Sequence, residues 1–583
     1  MAKKDQARAD RPAPKPRYGE TAQAHEHTLH SYRIGALPLL DVILTRLRLK
    51  EFLAAHLPPE DARTKVPTAT GLLLLLQNLL VSRDPLYGVG QWAARFVAHR
   101  LGLSAGELAH LNDDRVGRCL DRLFDADIAS LALAVVAHAV REFGVTLDEL
   151  HNDSTTVTFH GAYDEAAEEV VRRGKPAPAI TWGHNKDHRP DLKQLLFVLT
   201  VARDGAVPVQ FQVRSGNVTD DSTHRDTWDL LCQLTGRRDF LYVADCKLAT
   251  AENMAYLHQR GGRFLSVLPR TRTEDAAFRE SLERGLVTKR PVYDKTDEDG
   301  TVLDRYSLCE PAALSAEGYR LIWLHSTSKA EQDADARGKR VARTTVRLSE
   351  LRLKLRSPRT RYRQRAKVEE AVAEILREFG TAKWVTVTIE EQTVETFRQE
   401  SRGRPSERTR YVREAKAQFE VKYRVEYELL AAEVEYDGFF PLITNEPSLS
   451  EMELLLAYKG QPALERRFEQ LKTDFEVAPV YLKEVSRIVA LLCVYFFVLL
   501  IEALLERELR RAMARAELES LPLYPEGRPC RRPTARRVID LFEAVQQHEL
   551  TAAGRPPVSF TTELTPLQRK VLRLLGMSKV YDG

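Results

Sequence analysis

Two aspartates in this sequence stand where apolar runs give way to polar residues. Asp153 lies in LDELHNDSTTV, within or at the end of an expected strand, with threonines after it. Asp245 lies in FLYVADCKL, directly after a strand of mainly apolar residues. A carboxylate where a buried strand meets solvent can ligate a hard cation, although a lone Asp at a strand end serves a turn or helix cap as readily. A third acid, Glu465, occurs in AYKGQPALERRFEQLKTDF. Pro462 suits the first turn of a helix, which puts Glu465 inside that helix beside an apolar stripe of Leu464, Phe468, Leu471 and Phe475. Gln461, Glu465, Phe468 and Lys472 are spaced by 4, 3 and 4, so the acid and Lys472 fall on nearly the same side, two turns apart. The same spacing also describes an ordinary amphipathic helix with a solvated Glu and Lys.

The elements that must position these acids follow from periodicity. From about Ile34 to Phe143 the segments LLDVILTRLRL, ATGLLLLLQNLLVS and IASLALAVVAHAVREF space their apolar residues for one buried face, which predicts an all-helical domain over 34–145. Between 146 and 269 the pattern changes to strand, strand, strand, helix, strand, helix, strand, with Asp204-Gly205 as the hairpin turn between two alternating strands. That order is the order of a ribonuclease H-like α/β core. Residues 270–435 interrupt it as an insertion domain of mixed strands and helices, and 436–520 resume it through EYDGFFPLITN and an apolar helix. Residues 521–583 read as a basic, Pro-rich linker and a short helical segment, and 1–33 as a disordered basic tail.

At 583 residues, three to four domains are expected. The six cysteines form no C-x-x-C pair and no Cys/His cluster at zinc spacing, so they read as reduced thiols of a cytoplasmic protein. The run Ile488 to Ile501 is shorter than the roughly 20 residues a bilayer needs and reads as a buried helix, with no membrane partner expected. Net charge is only +4, but Arg337 to Lys367 carries thirteen Lys or Arg against one acid, Glu350. Such a stretch is either a solvated helix face or one laid against a polyanion.

The segments together resemble insertion-sequence transposases of the DDE class, in the branch with a Tyr, Arg, Glu, Lys signature around the third acid. Tyr458, Glu465 and Lys472 fall on that signature, and Gln461 occupies the Arg place, which removes a guanidinium contact to phosphate. GHNKDHRPDLKQLLF, VADCKLAT and YDGFFPLITN resemble the same branch, so that the likeness spans roughly Leu147 to Leu505.

The resemblance implies a transposase of a bacterial insertion sequence, cytoplasmic and nucleoid-associated. It would bind terminal inverted repeats, cut there and join the 3′-hydroxyl ends to target DNA, as a homodimer on paired ends. Asp153, Asp245 and Glu465 would be catalytic and would hold two magnesium ions, or manganese in their place, about 3.5 to 4 Å apart across the scissile phosphate. Tyr458 and Lys472 would contact double-stranded DNA, as would Lys186 and Arg189 from the polar loop His184 to Arg189. Asp437 reads as a turn residue. Trp323 reads first as a core residue and second as an aromatic wedge for DNA. The alternatives are a catalytically inactive DNA-binding regulator on the same scaffold and a metal-dependent nuclease without strand transfer.

Overall fold

The computed structural model describes residues 27–582 apart from 167, 169, 298, 358–359, 475–481 and 553–554, so Phe475 and most of the N-terminal tail lie outside the described residues. The chain divides into two compact units, one of residues 1–144, 171–177 and 482–583, the other of 145–170 and 178–481.

The first unit is built on the helix Val485–Arg515, whose most apolar window is 89% buried. By length and composition this helix is able to cross a bilayer, but it is apolar on every side because the helices Thr68–Val81, Asp113–Asp125 and Ile128–Phe143 pack around it. Arg507, buried in its course, donates to the carbonyls of Phe143 and Gly144 at 2.8 Å each, satisfying the end of the helix Ile128–Phe143. The expected boundaries put Val485–Arg515 with the strand-rich segments; its packing puts it with the helical ones. Two further departures occur here. His27–Arg33, expected as tail, is a strand paired antiparallel with Gln546–Ala552, which pairs in turn with Arg555–Thr561. The segment after the linker, expected as helical only, therefore contributes two strands to a three-stranded sheet before its helix Pro566–Leu574.

The second unit is mixed α/β around a ten-stranded sheet. Its spatial order is Val207–Ser215, Lys193–Ala202, Glu149–Phe159, Leu241–Ala244, Arg263–Val267, Phe439–Thr444, Arg320–Ser326, Val302–Glu310 and Thr288–Thr296, with Ala313–Leu314 paired to Arg320–Ser326. The first three strands are antiparallel, and the two steps from Glu149–Phe159 to Arg263–Val267 are parallel. The helices His224–Thr235 and Ala251–Gln259 lie in the connections of the two parallel steps, as parallel neighbours require.

Four strands of the expected insertion extend this sheet instead of forming a separate layer. Beyond them, the helices Thr327–Arg356 and Arg365–Phe379 pack through Val341, Leu348, Leu351, Val368 and Val372 on the base of a long hairpin, Val385–Gln399 with Tyr411–Val425. The basic helix is tied back to the sheet by Arg337, whose guanidinium makes two 2.7 Å bonds to the Asp437 carboxylate, with both side chains under 10% exposed.

Candidate active site

Strand register brings the two aspartates together. Glu149–Asn152 runs parallel to Leu241–Ala244 with Asn152 opposite Ala244, so the next residues stand side by side: Asp153, still within its strand and paired with Leu199, and Asp245, just past the end of its own. Adjacent strands stand about 4.8 Å apart. Side chains alternate along each strand, so Asp153 shares a face with His151, and Asp245 shares it with Leu241 and Val243. Leu241 and Val243 are packed by Leu454, Leu455 and Ala457 of the helix Glu451–Tyr458. A Ser450 capping box starts that helix, and its last residue, Tyr458, packs partly buried against the same cluster.

The chain then passes very close to the sheet. A Cβ on Gly460 would stand 2.6 Å from His151 Cε1, and the His151 ring cannot retreat because it is buried and bonded to Glu149 at 2.8 Å. Only glycine permits that approach. It sets Pro462–Glu469 down against Glu149–Phe159 and Lys193–Ala202. Arg467, buried on this helix, anchors it by donating to the carbonyls of Ala206 and Gly205 in the Asp204-Gly205 hairpin turn. Glu465 is exposed and makes no ion pair among the described residues. Lys472 lies in a π-helical turn, Gln470–Asp474, and bonds Asp187 at 2.6 and 2.7 Å.

The electrostatics follow from this crowding. Burial, then the neighbouring charge of Asp153, pushes the Asp245 carboxyl up to about 6. Burial also raises Asp153, against the opposing pull of Lys186. The Tyr458 phenol is pushed up to about 12 by burial and then by the charges of Asp245, Cys246, Glu465 and Asp153, which places all three acids in its electrostatic surroundings.

One acid was not anticipated. Lys186 bonds Asp153 at 3.2 Å and Asp220 at 3.0 Å, and donates to the Ser154 carbonyl at 2.7 Å. Asp220 also accepts from Ser154 Oγ at 2.6 Å. Burial works against the Lys186 ammonium, but Asp153 and Asp220 outweigh it and hold it above its ordinary range. Lys186 is thus drawn into the acids of the site, where DNA contact was expected of it. Asp220 was hidden because NVTDDST reads as the polar start of a helix, and a 3-10 turn does begin there. Arg189, the other loop cation, is engaged by Asp191 at 2.7 and 2.8 Å. The loop leaves the sheet through Gly183, where a Cβ would stand 1.9 Å from the Gly216 carbonyl oxygen.

Hard carboxylate oxygens from Asp153 and Asp245, side by side and disfavoured as a pair of charges, are the donor chemistry that a divalent cation relieves. Among the described residues no three His, Cys, Asp or Glu side chains stand close enough to hold one ion, so Glu465 does not complete a three-acid set in this arrangement. Trp323 is 4% exposed and stacks on Phe278 with centroids 3.7 Å apart, which makes it a core residue.

Comparison with known proteins adds three findings. Residues 29–137 match a family model described as a domain of unknown function, DUF4277. No curated protein matches the chain. Among solved structures, the chain is similar to a piggyBac transposase in a synaptic complex with hairpin DNA, at 11% identity and a TM-score of 0.24, over 50% of this chain and 59% of that one. It is also similar to the Mos1 transposase in a paired-end complex with the left transposon end, at 10% identity and a TM-score of 0.14, over 36% and 60% of the two chains. The chain thus spans about three fifths of the length of these two.

Proposed function

We propose that this protein is a DNA transposase of the DDE class, encoded by a bacterial insertion sequence, that cuts at the ends of its element and joins the freed 3′-hydroxyls to target DNA. The observation that carries the reading is the register that sets Asp153, within the strand Glu149–Phe159, beside Asp245, which directly follows the parallel strand Leu241–Ala244, on the face that receives the helix bearing Tyr458. The order of the five strands from Val207–Ser215 to Arg263–Val267, third-second-first-fourth-fifth along the chain, supports a ribonuclease H-like core.

In this reading Asp153 and Asp245 would hold the divalent ions, with Glu465, exposed on the helix Pro462–Glu469, as the third acid. Magnesium, when bound, would supply Lewis-acid activation of the attacking oxygen and neutralise charge on the leaving one. Lys186, bonded to both Asp153 and Asp220 here, would be left with Asp220 when Asp153 holds an ion. The Tyr458 hydroxyl, kept protonated by its burial among carboxylates, is a donor for a phosphate oxygen. Lys472 supplies a point charge beside the cut once Asp187 releases it. Two ends must be held together, so a homodimer on paired inverted repeats is part of the proposal.

The test is incubation of the purified protein with labelled DNA carrying the element's end and its flank, in magnesium or manganese. Nicking at the end followed by joined products, lost in Asp153→Ala, Asp245→Ala and Glu465→Ala while end binding persists, is the expected result. End binding without cutting would make the chain a regulator, and cutting without joining would make it a nuclease.

A further inference from the structure

The hairpin of Val385–Gln399 with Tyr411–Val425 has two parts. Its base is covered, with Val385, Phe419 and Val421 buried under the two helices that follow the sheet. From the pair Glu391 and Phe419 outward, the ribbon continues for eight more residue pairs, to Gln399 opposite Tyr411. At 3.3 Å per residue that is about 26 Å of ribbon. Nearly every side chain on it is exposed, including Val394 at 38%, Phe397 at 66%, Tyr411 at 52% and Val412 at 46%. A bare two-stranded ribbon with apolar side chains in water is poorly stable by itself and invites a partner.

Charge indicates which partner. Along the two strands the ions pair with each other, Arg413 with Glu395, and Arg398 and Lys416 with Glu414. At the tip, ESRGRPSERTR, this stops: Arg402, Arg404, Arg408 and Arg410 are all exposed, and none has a side-chain hydrogen bond or ion pair among the described residues. Only Glu400 and Glu407 stand against them. Four unpaired guanidiniums at the end of a narrow ribbon match a surface of closely spaced phosphates, and the major groove of B-DNA, about 12 Å wide, admits a two-stranded β-ribbon.

We infer that this hairpin is a DNA-binding arm, its tip arginines on phosphates at the groove edges and Phe397 and Tyr411, which share one face of the ribbon by register, covered against the duplex. The inference rests on the reading of the protein as a DNA-acting enzyme, and places a contact with the duplex well outside the acids. A second copy of the chain, pairing along the open strand edges, is the competing occupant.

The experiment compares wild type with a variant carrying Arg402→Gln, Arg404→Gln, Arg408→Gln and Arg410→Gln. Fluorescence anisotropy with a labelled DNA duplex several helical turns long is read over a salt series from about 50 to 200 mM, with sedimentation of the free proteins alongside. Because these exposed side chains make no hydrogen bond or ion pair among the described residues, the thermal midpoint should not move. The expected result is a Kd raised at least about tenfold and a slope of log affinity on log salt that flattens by about 0.9 for each arginine on a phosphate, up to about 3.6. A variant that binds with the wild-type Kd and slope overturns the inference alone. So does one that keeps DNA binding but shifts the oligomeric state, which would give the arm to the second copy. A wild type that binds no duplex at any of these salt concentrations overturns both this inference and the proposed function.

Discussion

Replacing Asp245 by Asn should make the metal-free protein more stable at neutral pH. The Asp245 carboxyl is raised from 3.8 to about 6, with burial the larger cause and the charge of Asp153 the next. At about 1.36 kcal/mol per pKa unit this disfavours the ionised form by roughly 3 kcal/mol, and partial access of water trims it to about 1–3 kcal/mol. The sign follows from linkage: the folded protein holds this proton more tightly than the unfolded chain does. The group's stabilising contribution is therefore complete below about pH 4 and lost as pH rises through about 6. Asn carries no charge and still offers Oδ1 to the Lys247 amide, which now donates to Asp245 at 3.0 Å. Thermal unfolding from about pH 4 to 8 should show the wild type losing more stability than Asp245→Asn, which keeps the raised Asp153 and Asp41 carboxyls, with the variant's midpoint a few degrees higher at about pH 7.5. Magnesium should raise the wild-type midpoint, because an ion that binds only the folded state adds its binding free energy, and should leave the variant's unmoved. An Asn variant no more stable than wild type at neutral pH, with the two pH profiles running parallel, would refute the crowding of charge from which the metal site is argued.

Three other outcomes are expected. Asp220→Asn takes away one of the two carboxylates that hold Lys186 and weakens the Ser154 bond, so cleavage should slow about 10- to 100-fold and its magnesium dependence should shift, with DNA binding intact; an unchanged magnesium series would remove Asp220 from the site. Gly460→Ala forces a Cβ against the His151 ring and must push the chain from Tyr458 to Glu465 off the sheet, so cleavage should fall at least about tenfold while end binding persists. Cutting at the wild-type rate would show that this close approach does not matter. Arg337→Ala leaves Asp437 buried without its partner and should cost about 3–5 kcal/mol, whereas Arg337→Met with Asp437→Leu should restore most of it; denaturant unfolding of the single and double variants decides.

Much of the local structure was legible because it is written in short-range pattern. Ile128–Phe143 carries a stripe that a helix buries on one side, Thr68–Val81 is apolar enough to be buried nearly all round, and Asp204-Gly205 supplies the φ-positive turn that closes a hairpin, with Gly205 at φ 79°. Asp153 and Asp245 stood out only together with Glu465 and the resemblance of the surrounding segments, since an Asp at a strand end by itself serves a turn or cap as readily. Asp220 did not, since an Asp before a helix has an ordinary capping role and nothing local distinguishes it from one that holds a lysine 34 residues away.

The sequence by itself determined the order of strands and helices between 146 and 269, where the acids sit, and that Tyr458, Glu465 and Lys472 share one stretch. Partner choice belonged to the tertiary structure. It joined His27–Arg33 to Gln546–Ala552, moved the apolar helix into the helical unit, added the insertion's strands to the main sheet, and aligned Asn152 with Ala244 so that two distant carboxylates meet. The reason is physical: periodicity records which face of an element is apolar, whereas pairing and register are set by the free energy of the whole packed chain, to which residues hundreds of positions apart contribute equally.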